Sequence, residues 1–448
     1  MARIRVPKPF MELWGEVNQD KLIDLLVKYR VTDSQGKYFH WNDFQWRVQQ
    51  GDDEIGAWVA TKFARRSISK KLPLKADGDI NFSYCVPDPL IAQLHAIDRK
   101  TGGGRELSDG NFMSLSEKNH YLVKSLMQEE AITSSQLEGA STTREVAKEM
   151  LKKNLPPKDK SQQMILNNYR LMKKAIERKD EELSIELILE LHKIATYNAI
   201  ENYAIPGELR NSNNICVTDI YGENPFYPPN YTTLKDRLVC LCEFINRDHV
   251  SDRSNFIHPI IKAVILHFMI AYIHPFGDGN GRTARALFYW SIIRSDYWLF
   301  EYVSISKLIK EKRGDYDKAF LYTETDEFDL TYFIYNQVVT IEKAVDSLCE
   351  YIDKKKRDFD EFSDWIYNSP VAKALKRFEL EILKEALRQP GREFTAKQVA
   401  VDFSVTENTA RSYLGLLVKK DLLIKAKSKS DKTLLYISPA NLKSRLKL

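Results

Sequence analysis

Residues His274 to Arg282, HPFGDGNGR, place a histidine, a carboxylate, three glycines and an arginine directly behind a long apolar run. Glycines this dense weaken any regular element, so packing alone does not account for them. The chemistry they suit is anion binding. Across Gly279, Asn280 and Gly281 the backbone can reach angles closed to most residues, and its N–H groups can converge into a nest at a helix N-terminus. Arg282 and Arg285 are three apart and fall on one face of the helix that follows. Nest, helix end and two arginines together suit a polyphosphate. Asp278 sits at the lip, where a carboxylate can hold Mg²⁺ against phosphate oxygens. His274, on the other side of the loop, is placed to take a proton from an incoming nucleophile. Taken alone, DGNG reads as an ordinary turn between helices, and only the whole run favours a site. The chain has no G-x-x-x-x-G-K-[ST] loop. A dinucleotide fingerprint is set aside because the preceding element reads as a helix, not a strand.

The elements that must position this loop are helical. HPIIKAVILHFMIAYI is apolar nearly all round, which marks Pro259–Ile273 as a central buried helix ending before Pro275. His267 on that helix has no motif around it and reads as a packed core histidine. A new helix is expected near Thr283, in TARALFYWSIIRSDYW. EKNHYLVKSLMQEEAITSSQLEGAS carries apolar residues at helical spacing and stops near Gly139, and SIELILELHKIATYNA is a further amphipathic helix. Between them, NSNNICVTDIYGENPFYPPN reads as an irregular hairpin within a helical domain.

Composition bounds the rest. At 448 residues the chain has room for about three domains. It is 43% hydrophobic and 29% charged, as in a soluble globular protein, and its net charge of +5 is too mild to imply nucleic acid. No charge-free apolar run reaches membrane-spanning length. Five scattered cysteines without a signal-type leader lead to the expectation of reduced thiols in a cytoplasmic protein. Residues 1–100 are mixed and tryptophan-rich, with a small aromatic core more in keeping than a ligand cage. GKYFHWNDFQWRV fits either strand or helix, and RKTGGGRELSDGN is a glycine-rich boundary. The segment from about 370 to 448 reads helix, turn, helix and two short strands around KSKSDK, the pattern of a winged helix-turn-helix.

The run His274–Arg285 matches H-x-F-x-[DE]-G-N-G-R-x-x-R, the signature of the Fic family, at every specified position. The resemblance extends to GELR (Gly207–Arg210) and FYPP (Phe226–Pro229), which look like that family's flap region. It covers roughly residues 100–350. It implies a mainly α fold: an all-helical core over 101–356 with a β-hairpin flap. A small mixed N-terminal region of unknown role precedes the core, and the C-terminal winged helix follows at 370–448. It implies AMPylation, the transfer of AMP from Mg²⁺-ATP to a Ser, Thr or Tyr hydroxyl of a target protein, and of the enzyme itself. By the same resemblance His274 is the general base and Asp278 the Mg²⁺ ligand. Gly279, Asn280 and Gly281 cradle phosphates, Arg282 supports the β-phosphate, Arg285 takes the γ-phosphate, and Phe276 points into the core. Family members that act as kinases carry a Lys where this chain has Gly281, so glycine leaves the AMP-transfer orientation open.

A second motif gains meaning from the first. Ser134, Glu138 and Gly139 in SSQLEG match [ST]-x-x-x-E-[GN], the family's inhibitory helix, expected here near 120–139. The resemblance implies that Glu138 pairs with Arg285 and excludes the γ-phosphate, and that removal of AMP from the target is a further activity of such enzymes. The flap, about Asn214 to Pro229, is expected to align a target segment by strand addition, with Val217 and Thr218 at its edge. An ordinary surface hairpin is the alternative. Tyr316 is the candidate flank of the adenine.

In the C-terminal module the second helix of the pair begins near Thr406, a good N-cap, and offers Glu407, Asn408, Arg411 and Ser412. Lys425, Lys427, Lys429 and Lys432 make a basic wing that suits DNA phosphates. Protein docking or homodimer formation is the equal alternative. The expected protein is a bacterial adenylyltransferase. Its rivals are a DNA-binding regulator with a nucleotide-sensing site and transfer of a different phosphate-containing group.

Overall fold

A computed structural model describes residues 4–101, 127–200, 204–218, 225–388, 391–427 and 433–446. The chain is mainly helical and divides into two compact units, 1–348 and 349–448. The boundary falls inside one long helix, Thr331–Asn368. No helix among the described residues is long and apolar enough to cross a membrane.

The first hundred residues belong to the same unit as the helical core. Helices Phe10–Glu16, Gln19–Lys28 and Glu54–Ile68 close over Phe44 and Trp58, so most of the aromatic cluster is core. Trp46 is the exception at 70% exposed, with Arg5 lying over its ring. The ambiguous GKYFHWNDFQWRV segment forms a short helix, Trp41–Phe44, followed by a 3-10 turn, Gln45–Arg47. His40 caps that helix by accepting from the Asn42 N–H. A two-stranded antiparallel hairpin, Lys70–Lys75 with Asn81–Tyr84, follows. It joins the core through Leu330, whose N–H donates to the Ser83 carbonyl. Lys62, buried on helix Glu54–Ile68, reaches Asp326 at 2.7 Å and Glu327 at 3.2 Å and so ties this region to the turn before the long helix.

The helical core is built around Pro259–Ile273. Proline occupies its first turn, where no N–H is needed, and His258 caps it. Every residue except Pro259, Lys262 and Ala271 is buried, as the all-round apolar pattern requires. It packs against Asn280–Arg294, which in turn packs against Lys160–Glu177 and Ile185–Thr196. His267 is fully buried and meets the Tyr316 hydroxyl at 3.1 Å. Burial holds its imidazole near a pKa of about 3, so it is a neutral packed histidine.

The second unit has its own apolar core around Ile382, Leu383, Val399, Leu414 and Leu417. Its order is helix Arg377–Arg388, strand Glu393–Phe394, helices Ala396–Asp402 and Glu407–Lys419, then strands Ile424–Lys427 and Leu434–Ile437. The strand 434–437 lies between the other two and pairs antiparallel with both. Thr406 caps its helix through the Thr409 N–H. Lys425 and Lys427 are exposed on the strand Ile424–Lys427. Lys429 and Lys432 lie outside the described residues.

Candidate active site

The buried helix ends because His274 takes a left-handed conformation, φ 48° and ψ 57°, while its N–H still closes on Ile270. Few non-glycine residues adopt that region, and their presence marks a position fixed by its surroundings. The side chain is fixed too. His274 Nδ1 lies 3.2 Å from the Ala271 carbonyl oxygen. A carbonyl only accepts, so Nδ1 carries the proton and Nε2 keeps its lone pair. Desolvation pushes this imidazole down to about 4, against the opposing pull of the Ala271 carbonyl, and it is therefore neutral at ordinary pH.

The loop that follows is held from within and from behind. The Asn280 side chain accepts from the Phe276 N–H at 3.0 Å and donates to the Phe276 carbonyl at 2.8 Å. The second helix begins at Asn280, three residues before the sequence suggests, because Gly279 at φ 81° serves as its left-handed N-cap. A side chain there would meet Thr196 at 2.6 Å, so the position is closed sterically as well. Helices leave their first N–H groups without intrahelical partners, which gives Asn280, Gly281 and Arg282 the geometry of an anion site.

Behind the loop stands His192, which sequence reasoning missed. Its Nδ1 accepts from the Gly207 N–H at 3.0 Å, so its Nε2 donates to the Asp278 carbonyl at 2.8 Å. Its ring lies flat on Phe276, 3.6 Å between centroids. Arg210 is the second missed residue. Its backbone N–H donates to the Pro275 carbonyl and its Nε to the His274 carbonyl, both at 2.9 Å, and its Nη2 reaches the Pro229 carbonyl. Only GELR hinted at it. Among the described residues the flap shows a single antiparallel bridge, Val217 with Phe226, and Thr218 beside it is exposed. Residues 219–224 lie outside the described part.

The two arginines are both buried but part company. Arg282 turns back to the Ala195 carbonyl at 2.8 Å and to Asp278 Oδ1 at 3.1 Å. Arg285 faces Ser134 and Glu138. Its Nε donates to Ser134 Oγ at 2.8 Å, and its Nη2 donates to the Ser134 carbonyl at 3.1 Å and to Glu138 Oε1 at 2.8 Å. Burial alone would raise the Glu138 pKa, but the charge and hydrogen bond of Arg285 hold it below its ordinary value. The described part of the candidate inhibitory helix runs over 127–137, and Gly139 at φ 96° turns the chain away. Residues 120–126 lie outside the described part. Gly281 makes room for this pair: a Cβ there would stand 2.2 Å from Glu138 Oε1.

These groups line a cleft of about 160 Å³. Glu138, Gly281, Arg285 and Arg313 gather on one side, and Val217, Phe226, Phe320 and Glu324 on another, with His274 and Tyr316 also in the wall. Tyr316 is 7% exposed and its hydroxyl is held by His267. A larger cavity of about 500 Å³ in the N-terminal region, lined by Lys62, Arg65 and Asp329 among others, contains none of the motif. Among the described residues no group of three or more His, Cys, Asp or Glu gathers as a metal site. Asp278 is a lone carboxylate, with Oδ1 engaged by the Gly279 N–H and Arg282. A single carboxylate beside a helix N-terminus fits a cation that arrives with an anionic ligand, not a resident caged ion.

A helical core carrying a left-handed glycine cap at a helix N-terminus and a neutral histidine beside it can be compared with known proteins. The Fic/DOC family model matches residues 182–292. "Protein adenylyltransferase Fic" of Drosophila grimshawi is 33% identical over 120 residues, 26% of this chain and 21% of its own length. "Protein adenylyltransferase fic-1" of Caenorhabditis elegans is 32% identical over 123 residues, 27% and 22% of the two chains. The chain thus spans about a fifth of the length of these curated relatives. A Fic family protein from Desulfovibrio desulfuricans G20 shares the fold, with a TM-score of 0.52 at 17% identity over 80% of this chain and 98% of that one. Residues 182–292 match the Fic/DOC family, so the chain carries a Fic domain there.

Proposed function

We propose that the cleft binds Mg²⁺-ATP and transfers AMP to a Ser, Thr or Tyr hydroxyl of a target protein, the enzyme included, under restraint by Glu138. The observation that carries this reading is the neutral His274, its Nε2 unprotonated, in the same cleft as the N-terminus of helix Asn280–Arg294. His274 Nε2 takes the hydroxyl proton as that oxygen bonds to the α-phosphorus. The bond to the bridging oxygen breaks and pyrophosphate leaves. The N–H groups of Asn280 and Gly281 and the positive helix end meet the charge that develops. Asp278 would hold Mg²⁺, which neutralises phosphate charge when bound. Arg282 braces Asp278 from behind, and Arg285, once released by Glu138, receives the γ-phosphate. Tyr316 walls the nucleoside end, and the edge at Val217 and Thr218 offers a strand to the target.

The C-terminal module has the element order of a winged helix, and we assign it a docking role. Arg411 is paired with Glu407 at 2.8 Å on the exposed helix, which supports protein contact over the reading of DNA bases. The test of the main reading is incubation of wild type, Glu138→Gly and His274→Ala with Mg²⁺ and ATP labelled at the α-phosphate, followed by intact mass. Added AMP is expected in Glu138→Gly and absent in His274→Ala. Equal incorporation by both variants would remove His274 as the base.

A further inference from the structure

The larger cavity lies wholly within the first unit and shares no lining residue with the cleft. Its volume of about 500 Å³ is that of a small-molecule site. Local structure explains its polar walls. On helix Glu54–Ile68, Lys62, Arg65 and Arg66 stand at i, i+3 and i+4 and share one face. On strand Asn81–Tyr84, alternation sends Phe82 and Tyr84 to the core and Asn81 and Ser83 to the cavity. The turn 326–329, just after helix Arg313–Thr325, brings Glu327 and Asp329. In that turn Glu327 and Phe328 are both left-handed, at φ 55° and 56°. Two successive non-glycine residues in that region are strained, and strain of this kind gathers at ligand sites.

Charge in the lining does not cancel pair by pair. Lys62 is matched by Asp326, Arg66 by Glu327, and Asp79 by Lys75. Arg65 is 3% exposed, and among the described residues it has no carboxylate within ion-pair distance. It donates instead to the carbonyls of Val31 and Phe39 and to the Tyr332 hydroxyl. Lys71, at the mouth, has no ion-pair partner among the described residues, and the Ser69 and Ser83 hydroxyls have no hydrogen bond there. Asp329 accepts from the Tyr38 hydroxyl and from Thr331, with no cation paired to it. The Asn81 amide donates to the Leu72 carbonyl and keeps its oxygen as an acceptor. The cavity therefore has two cations and two hydroxyls to offer an anion, and a carboxylate and an amide oxygen to offer a donor.

The register sets these groups in order. Ser83 is paired with Lys71 on one side and bridges Asp329 on the other. Two strand spacings put Lys71 and Asp329 about 10 Å apart, with Ser83 between them. A phosphate at one end of a short hydroxylated chain spans that distance with a hydrogen bond at each end.

We propose that this cavity is a second small-molecule site, which takes a phosphorylated polyhydroxy compound of the sugar phosphate type. The phosphate meets Lys71, Ser69 and Ser83, with the buried charge of Arg65 behind them, and the hydroxyls donate to Asp329 and Asn81. The site is independent of the reading of the catalytic cleft.

The experiment titrates the full-length protein with ribose 5-phosphate and with glucose 6-phosphate by calorimetry, with inorganic phosphate and ribose as the separate halves. At least one sugar phosphate should bind about tenfold or more tightly than either half. Lys71→Glu should weaken it by about tenfold or more, the scale of one charge-assisted hydrogen bond. Lys70→Glu makes the same change in net charge, but its ammonium reaches the Phe256 carbonyl outside the cavity, so affinity should stay within about threefold of wild type. Both lysines are exposed, so melting temperatures should match that of wild type. Lys71 lies outside the catalytic cleft, which separates this site from phosphate binding there. Failure of both sugar phosphates to bind at millimolar concentration overturns the proposal, and so does equal affinity in wild type and Lys71→Glu. Inorganic phosphate binding as tightly as the sugar phosphates overturns the assignment of the hydroxyls to Asp329 and Asn81.

Discussion

Replacing Glu138 by glycine removes one of the three acceptors that hold the Arg285 guanidinium and leaves the two from Ser134 in place. The Arg285 side chain is 2% exposed and that of Glu138 is 29% exposed. The pair therefore lies between a surface ion pair, worth up to about 1 kcal/mol, and a fully buried one, whose disruption costs about 3–5 kcal/mol. A γ-phosphate that must displace Glu138 thus works against about 2–3 kcal/mol, equivalent to about 30- to 150-fold in the productive population. AMP incorporation by Glu138→Gly should rise over wild type by that factor, read as initial rate from the α-labelled nucleotide. The same variant leaves Arg285 less well paired, so its melting temperature should fall and should recover when ATP supplies the missing anion. Proton activity is not expected to open the pair near neutrality. The Glu138 pKa is depressed below its ordinary 4.5, so the pair's contribution is complete above that value and fades only as pH falls through the folded pKa. A rise of less than about threefold in a folded variant that still binds ATP would refute the energetic argument. A wild type that becomes active on moving from about pH 6 to 8 would refute the electrostatic one.

His274→Ala in the Glu138→Gly background should lower transfer by about 10²–10⁴-fold with nucleotide affinity retained, measured by rate and by calorimetry. The rate profile of Glu138→Gly should show no imidazole inflection near the ordinary 6.5, because His274 loses its proton at about 4. Gly279→Ala places a side chain at φ 81° and 2.6 Å from Thr196, so denaturation should show a loss of more than about 1 kcal/mol together with weaker nucleotide binding. Lys62→Met strands the buried Asp326 carboxylate, and urea unfolding should register a loss of about 3–5 kcal/mol with the nucleotide site unaltered in the surviving folded fraction.

What the sequence showed and what it hid divide along physical lines. The run from His274 to Arg285 was legible because a buried helix, a glycine cluster and paired arginines are all local features. So was Glu138, once the motif gave its spacing meaning. The helix start was misplaced by three residues because a left-handed glycine cap and an Asn280 side chain bonded to its own loop look, in sequence, like more loop. The divergence of Arg282 from Arg285 was invisible, since their spacing says which face they share and not which partner each finds. His192 and Arg210 act through contacts distant in sequence, with Asp278 and with His274, that no periodicity announces. Trp46 stands exposed where composition assigned it to a core.

Gly281 and Glu138 contend for one volume. With a Cβ at 281, the atom in the way is the flexible end of Glu138, so the carboxylate yields more easily than the backbone does. The two positions are therefore genetically linked. In a selection for gain of transfer, alanine at 281 should appear beside glycine at 138 as an independent route to the same phenotype. The two changes together should gain little over either alone. A chain that acquires a bulky residue at 281 first makes its glutamate idle, and the glutamate is then free to drift.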